Sequence, residues 1–379
     1  MLDRRWVGAS ILVVVIACGG SVANDPNDAG EPSDAGAKDV TAADVPIPFD
    51  APADVVAPPV TGTPPPKPSG PPTASSSRKT YAIRTLYLGE TTRAGVQSNA
   101  AWKEFGFNLD GKVTVGTSTD VCTRTKGAPS SNQVDGAQGI DNAFGATLLP
   151  LIMSASSTVS PSKVASAEYQ TGKRTLELSI VGLDGTNNQT ATGLGGGLFP
   201  ALDYSGDGPV VPFPGFTAGT DWPVRVEGLA DGVTIAGGAK ASLVGSWING
   251  GVFVSGGPSM DVALDLPLAG AGLPLLVHHA VVTLDAAGHG TLAGIADTEE
   301  FILALRKVAG RISTTLCGSQ FDGIAQQIRQ ISDILKDGTN VAGLACDGFS
   351  VGIGFDAEPI ANPTKVAKAP LPTPPDPCQ

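Results

Sequence analysis

The chain has 379 residues, of which only 16% are charged, while glycine and proline together supply more than one residue in five. This composition excludes a coiled coil and a helix-rich cytosolic enzyme, and the net charge of -12 excludes a basic nucleic-acid-binding protein. A hydrophobic content of 41% still allows a folded core.

The first residues of the chain have the pattern of an export signal. Arg4 and Arg5 precede an apolar run over residues 6–17, which is too short for a membrane-spanning helix but has the usual length of a secretory hydrophobic region. The run leads into the sequence VIAC at residues 15–18, which resembles the lipobox of bacterial lipoproteins. The resemblance implies that a signal peptide, residues 1–17, is removed and that a lipid on Cys18 holds the mature chain at a membrane.

Two features bear on the destination of the chain. Gly19 follows the cysteine, where an aspartate would retain a lipoprotein in the inner membrane of enteric bacteria, so the resemblance favours the outer membrane. An alternative cleavage after Ala23, in a small-x-small sequence, would release a soluble periplasmic or secreted protein without the lipid.

Residues 18–78 are predicted to be a disordered linker rich in proline, alanine and aspartate. Asp-Ala-Gly occurs twice, at 28–30 and 34–36, and a proline-rich stretch covers residues 64–68. Such a segment contains too little apolar surface to offset the entropy lost on folding. We therefore expect an extended acidic spacer that connects the lipid to the folded part.

Residues 79–295 are predicted to form a mostly β domain, an antiparallel β-sandwich of the jelly-roll type. Alternating apolar residues predict strands at 176–181 and 260–266, and Asp-Gly turns punctuate the region. Further strands are predicted at 224–227, 252–254 and 275–284. Many short strands without an alternating strand and helix pattern disfavour a Rossmann fold.

Residues 296–360 are predicted to form a helical segment that packs on the sandwich. The spacing of Asp297 and Glu300 is typical of a capped helix start, and a second helix is expected between Ser319 and Gly338. Apolar residues recur at helical spacing along both helices. This pattern indicates that one face of each helix is buried against the sheet.

Four cysteines follow the lipobox-like sequence, and an even number in an exported chain predicts disulfides. We favour Cys317–Cys346, which flank the second helix. By elimination Cys122–Cys378 would then pin a proline-rich tail, residues 361–379, to the domain. Four cysteines allow three connectivities, so the pairing stays open. The absence of a Cys-x-x-Cys motif disfavours a zinc site.

The sequence contains no recognisable catalytic motif. The adjacent His278 and His279 would point to opposite faces of a strand, and His289 lies in a turn-like Gly-His-Gly sequence. Asp261 and Asp265 would lie about 13 Å apart along one strand, which exceeds the carboxylate separation of inverting glycosidases. We therefore predict no catalytic residues and no required cofactor.

The most distinctive stretch combines aspartate, asparagine and glycine. An Asp-Gly pair at 110–111 is followed by a cysteine and by the run GIDNAFG at 139–145. In this order, these motifs resemble uncharacterised lipoproteins of myxobacteria and their relatives, a resemblance that implies no known activity. Oxygen ligands on glycine-rich loops also suit Ca²⁺. The candidate calcium ligands are Asp110, Asp135, Asp141 and Asn142. Turn and helix capping is the alternative explanation of the same residues.

These patterns predict a membrane-anchored envelope lipoprotein that displays a noncatalytic β-sandwich for ligand binding or a structural role. Its expected partners are the membrane, through the lipid on Cys18, and a glycan or another envelope protein, but no nucleic acid. The alternative is a secreted or envelope hydrolase that acts on glycans, with carboxylates that converge only in the folded structure.

Overall fold

A computed structural model describes residues 62–155, 160–201, 204, 213–256, 260–268, 271–367 and 376–378. This part of the chain is mostly β, as predicted, with one large antiparallel sheet and a few helices. The strands are β1 (Arg78–Tyr87), β2 (Thr175–Val181), β3 (Ala191–Ala201), β4 (Ala241–Ser242), β5 (Ser246–Asn249), β6 (Val252–Gly256), β7 (Val262–Leu268), β8 (Ala271–Leu284), β9 (His289–Asp297) and β10 (Gly348–Ile360). The helices are α1 (Leu149–Ala155), α2 (Pro161–Gln170), α3 (Thr298–Arg306), α4 (Ala309–Ile312) and α5 (Ser319–Arg329).

The strand pairings close into a ring. In the order β1, β2, β3, β5, β6, β8, β9 and β10, each strand is hydrogen-bonded antiparallel to the next, and β10 pairs back to β1. β4 adds to β3, and β7 pairs with the first half of the long β8. The jelly-roll sandwich is not confirmed, because a jelly roll divides Greek-key strands between two sheets, whereas these neighbours follow chain order.

Alternate residues of the ring build the main hydrophobic core. In β10, every second residue from Phe349 to Phe355 is buried in that core, as the two-residue period of a strand dictates. Gly354 lies on the opposite face of the strand, where Phe105 packs against the backbone. A Cβ atom at Gly354 would lie 2.2 Å from the Phe105 ring. A glycine is therefore required at position 354 for Phe105 to pack this closely against the outer face of β10.

The two late helices begin as predicted. Asp297 caps α3 by accepting hydrogen bonds from the amides of Glu299 and Glu300 at 2.9 and 3.1 Å. The second helix, α5, begins at Ser319 but ends at Arg329, well before Gly338.

The segment predicted as helical, residues 296–360, also contains a central strand of the ring. After α5 the chain turns back, and Ile334 forms a bridge with Gly348, the first residue of β10. β10 then pairs with β9 on one side and β1 on the other. The predicted sandwich and the predicted helical segment therefore share one sheet. The sequence of β10 suits this position, because its core residues alternate with glycines that leave room for neighbouring segments.

The disulfide pairing differs from the favoured prediction. Cys122 is bonded to Cys346 and Cys317 to Cys378, with Cα atoms 5.2 and 5.1 Å apart. The prediction of Cys317–Cys346 and Cys122–Cys378 is therefore wrong. The reason is that contacts between distant segments, rather than nearness in the sequence, bring these cysteines together.

Each disulfide lies beside such a long-range contact. A parallel bridge between Thr123 and Ala345 aligns the loops that carry Cys122 and Cys346. The tail is held by Asp376, whose carboxylate accepts a hydrogen bond from the amide of Gly310 at 3.2 Å. Disulfides form in oxidising compartments, so this pair of bonds indicates a protein that folds outside the cytoplasm.

The start of the described part departs from the linker prediction. Residues 1–61, which include the predicted signal, the lipidation site and most of the linker, lie outside the described residues. Residues 62–77 contact the ring, and the Trp247 indole donates a hydrogen bond to the Pro65 carbonyl at 2.9 Å. None of the helices in the described ranges is both long and apolar enough to cross a membrane.

Serine replacements distinguish the two disulfide patterns. In the C122S/C346S variant we expect no new free thiol, because the Cys317–Cys378 bond stays closed. In the C317S/C346S variant we expect two additional thiols, counted with a thiol-reactive dye in denaturant, because Cys122 and Cys378 each lose a partner. Loss of either bond should lower the free energy of unfolding by about 2–5 kcal/mol. The reverse thiol count would contradict the observed pairing.

Candidate functional site

A cleft of about 540 Å³ opens where β2 begins and β3 ends. Its opposite wall is formed by β7 and by residues 225–228 and 240–241. The larger aliphatic residues of the lining are Leu176, Leu198, Pro200, Val262, Leu264 and Leu276. Most of these side chains also belong to the main core, so the cleft reaches the core of the protein. Its size is within the usual range of about 300–1,000 Å³ for small-molecule sites.

Backbone contacts hold the segment after β3 beside the cleft. Residues 224–227 are predicted as a strand, but Val224 forms only two isolated bridges, with Ala201 and with Val366, and Val226–Gly228 form a 3₁₀ turn. The Arg225 amide donates to the Pro200 carbonyl at 2.7 Å. Gly228 packs against the same proline, so that a Cβ atom there would lie 2.4 Å from the ring. These contacts place the Arg225 side chain at the rim of the cleft.

Among the described residues, the charged side chains that line the cleft are Arg174, Arg225, Lys240, Glu227, Asp261 and Asp265. Arg174 Nη1 lies 2.9 Å from Asp265 Oδ2, and Arg225 Nη2 lies 3.4 Å from Glu227 Oε1. Asp261 Oδ1 lies 3.0 Å from Nδ1 of His278. Each of the three carboxylates therefore already has a nitrogen partner.

Two hydrogen-bond donors of the cleft have no such partner. Arg225 Nε is buried and has no hydrogen-bond partner within the part of the chain that the structure describes. Lys240 is exposed, and its ammonium group makes no ion pair within 4.0 Å in the same part of the chain. Lys240 therefore brings to the cleft a positive charge without a close counter-ion in the described part of the chain.

The Glu227 carboxylate is held in its ionised form. Burial by itself raises the pKa of Glu227, but a backbone hydrogen bond, the Arg225 guanidinium and the nearby charge of Lys240 outweigh burial and lower this pKa. A general acid must carry a proton at the working pH. Glu227 is therefore a poor proton donor at neutral pH.

His278 bridges two carboxylates beside the cleft. Its Nδ1 lies 3.0 Å from Asp261 Oδ1 and its Nε2 lies 2.9 Å from Glu300 Oε2. Burial by itself lowers the pKa of His278, but the hydrogen bonds to Glu300 and Asp261 outweigh burial and raise it. An imidazolium that donates through both nitrogens has no free lone pair. This geometry suits His278 to joining β8 and α3 rather than to accepting a proton.

The other two histidines lie away from the cleft. His279 sits at a bulge in β8, with a positive φ of 51°. Nδ1 of His289 lies 2.8 Å from Asp356 Oδ1, and the same carboxylate accepts hydrogen bonds from Arg93 at 2.6 Å and Tyr87 at 2.5 Å. This network joins β1, β9 and β10.

The structure brings three of the four candidate calcium ligands together. Asp110, Asp135 and Asp141 interact electrostatically, and a fourth carboxylate, Asp333, joins them from the segment after α5. Burial raises the pKa of both Asp135 and Asp141, with a further contribution from Asp110. The negative charge of Asp135 further raises the pKa of Asp141. Burial also raises the pKa of Asp333, to about 7.

The same carboxylates cap the surrounding loop. Asp110 accepts a hydrogen bond from the Lys112 amide at 2.8 Å, and Asp141 accepts one from the Leu109 amide at 2.7 Å. Asn142 points elsewhere and donates through Nδ2 to the carbonyls of Phe105, Gly352 and Trp102. In the described ranges, no three His, Cys, Asp or Glu side chains are arranged to hold a metal ion. Capping is the role that this geometry supports.

Glu177 is a buried acid, although the alternation of residues in β2 predicts an exposed side chain at this position. Its position in the alternation of β2 indicates an outward, polar face, but the side chain is 0% exposed. Neither carboxyl oxygen has a hydrogen-bond partner among the described residues. Burial raises the pKa of Glu177 well above its usual value, and the charge of Asp221 adds to the shift. Part of this outer face is covered by Trp222, which packs with Ala82, the cross-strand neighbour of Glu177.

No protein-family model, curated protein sequence or solved structure matches the chain. The resemblance to bacterial lipoproteins therefore stays an expectation from the sequence motifs.

Replacement of Glu177 by leucine should remove a pH-dependent cost. The unfolded chain releases this proton near pH 4.3 whereas the folded chain retains it, so stability falls with rising pH by up to about 1.4 kcal/mol per unit. We expect Glu177→Leu to unfold at higher denaturant concentration than the parent at pH 8, with a smaller difference at pH 5. Glu358→Leu, at a partly exposed site on β10, is the control. Equal pH dependence in both variants would contradict a neutral, buried Glu177.

Calcium titration tests the role of the aspartate cluster. Because the carboxyl groups already accept hydrogen bonds from backbone amides, we expect millimolar Ca²⁺ to leave the Tm unchanged relative to potassium chloride of equal ionic strength. A rise in Tm with Ca²⁺ that disappears in Asp135→Asn would contradict the capping role. It would establish a calcium site instead.

Proposed function

We propose that the chain is an exported envelope lipoprotein, held at a membrane by a lipid on Cys18, and that its cleft binds a small ligand without chemical change. The lipobox-like sequence at residues 15–18 supports the anchor. The two disulfides support export to an oxidising compartment. The observation that carries the binding function is the cleft of about 540 Å³, because it combines an apolar wall from the core with a few charged groups at the rim.

The state of the carboxylates favours binding over hydrolysis. A glycan hydrolase needs one protonated and one ionised carboxyl group on either side of the scissile bond. In the cleft, Glu227 has a lowered pKa, Asp265 is paired with Arg174, and Asp261 is bonded to His278. The arrangement supplies ion pairs rather than an acid and a free base.

The number of residues between Cys18 and the first described residue, Gly62, limits how far a lipid anchor would let the folded part lie from the membrane. The Gly62 amide donates to Gln138 Oε1 at 3.2 Å, and its carbonyl accepts from the Asn108 amide at 2.6 Å, so the described part is fixed from this residue onward. Between Cys18 and Gly62 the chain can span at most about 150 Å. An anchor at Cys18 would therefore keep Gly62, where the described part begins, within this distance of the membrane surface.

Metabolic labelling tests the anchor. In a Gram-negative host fed a labelled fatty acid, we expect label on the full chain and none on the Cys18→Ala variant. Mass spectrometry of the mature protein should show an acylated Cys18 as the first residue. An unacylated mature chain that begins at Asn24 would contradict the lipoprotein proposal.

A neutral apolar dye tests the cleft. We expect Nile red to bind the full chain carrying Cys18→Ala, and Ala263→Trp to weaken this binding by about tenfold or more, because the indole occupies space that the dye needs. Ala287→Trp, in an exposed turn, is the matched control. Equal dye binding by Ala263→Trp and its control would contradict the cleft as the binding site.

A further inference from the structure

The chemistry of the cleft also indicates the class of ligand. We infer that the ligand is an anionic amphiphile, with an apolar body against the leucine-rich wall and a carboxylate or phosphate group bound by Arg225 and Lys240. This inference rests on the proposed binding function and narrows it to one kind of molecule.

The apolar wall selects for a hydrocarbon body. Leu176 and Leu198 come from neighbouring strands of the ring, and Val262 and Leu264 face them from β7. These side chains are 1–7% exposed and belong to the main core. A hydrocarbon chain that enters here replaces water along a surface that cannot form hydrogen bonds, which favours binding in proportion to the apolar area covered.

The polar rim selects for a negative charge. All three carboxylates of the cleft already have nitrogen partners, whereas Arg225 Nε and the Lys240 ammonium have none in the described part of the chain. Each of these carboxylates is thus already beside a nitrogen, whereas Lys240 has no carboxylate within 4.0 Å in the described part of the chain. An incoming anion would meet the exposed Lys240 ammonium and the partly exposed guanidinium of Arg225, although Arg225 Nε itself is buried. Hydrogen bonds to charged groups are stronger than those between neutral groups.

The two cations are held close to each other by the backbone. The Lys240 amide donates to the Gly228 carbonyl at 2.8 Å, and Gly228 ends the 3₁₀ turn that follows Arg225. Both residues act on Glu227, whose carboxylate they help to keep ionised. The two cations are therefore near enough to act on one charged group, and a ligand anion that contacts both of them must lie on the side away from the Glu227 carboxylate. The planar guanidinium also suits a carboxylate or phosphate, whose oxygens can bind two of its N–H groups.

The position of the apolar wall relative to the cations determines the shape of the ligand. Leu198 pairs with Ala241 across β3 and β4, and Lys240 immediately precedes that pair. The charged rim is thus adjacent to the apolar wall. A ligand with its charge at one end of a hydrocarbon body fits this order, whereas a sugar, which is polar along its whole length, would leave hydroxyl groups against leucine side chains.

A series of ten-carbon amphiphiles tests the inference. Decanoate, decyl phosphate, decanol and decylammonium compete with Nile red for the full chain carrying Cys18→Ala, so that no acyl group on the protein interferes. We expect decanoate and decyl phosphate to bind about tenfold or more tightly than decanol, and decylammonium to bind most weakly. The stronger of the two anions identifies a carboxylate or a phosphate as the natural group.

Charge-removing variants assign the effect to the two cations. Lys240→Gln should lower the affinity for the anions by about threefold or more and leave decanol unchanged, because Lys240 is exposed and packs no core. Arg225→Gln should have a larger effect, and Lys307→Gln, on an exposed residue after α3, is the matched control. Equal binding of decanol and the anions, or an unchanged anion affinity in Lys240→Gln, overturns this inference alone. Failure of Nile red and all four compounds to bind overturns the proposed binding function as well.

Discussion

The hydrogen bonds between β1 and β10 are the constraint on which the rest of the structure depends. They join the first and last strands of the ring, so that every ring strand has a paired neighbour on both sides. A closed arrangement leaves no free ring edge to pair with another chain. The ring has an open end where β2 begins and β3 ends. That end is covered by β7 and by the segment near Arg225, and the space between them is the cleft.

The segments that cover the outside of the ring explain its buried acids. When one face of a sheet is exposed to solvent, a strand can carry a carboxylate at every second position without a desolvation penalty. When a later segment covers that face, the carboxylate loses its water and the proton becomes harder to remove. Glu177 shows this most clearly, because Trp222 and its neighbours close over the strand. Asp141 shows it in a loop, where it is buried beside other aspartates.

The sequence was most informative where local rules decide the structure. The strands at β2 and β7, the cap at Asp297 and the start of α5 follow from residue periods and capping, which act over a few residues. The disulfide pairing, the placement of β10 and the cluster around Asp333 depend on contacts between segments that are far apart in the chain. The cleft was missed for the same reason: its two spare donors, Arg225 and Lys240, have no motif in common. In the sequence, Arg225 and Lys240 are recognisable only as positively charged residues near short segments that favour β-strands.

The long separation of Cys122 and Cys346 has a consequence for biogenesis. A chain that crosses an export pore with its amino terminus first presents Cys122 to oxidants while its native partner, 224 residues later, is still on the other side. Cys317 emerges earlier than Cys346, so oxidation in order of emergence would join the wrong thiols. If the thiols are oxidised in that order, native pairing calls for thiol–disulfide exchange after the whole chain has been delivered, a reaction that an isomerase would accelerate.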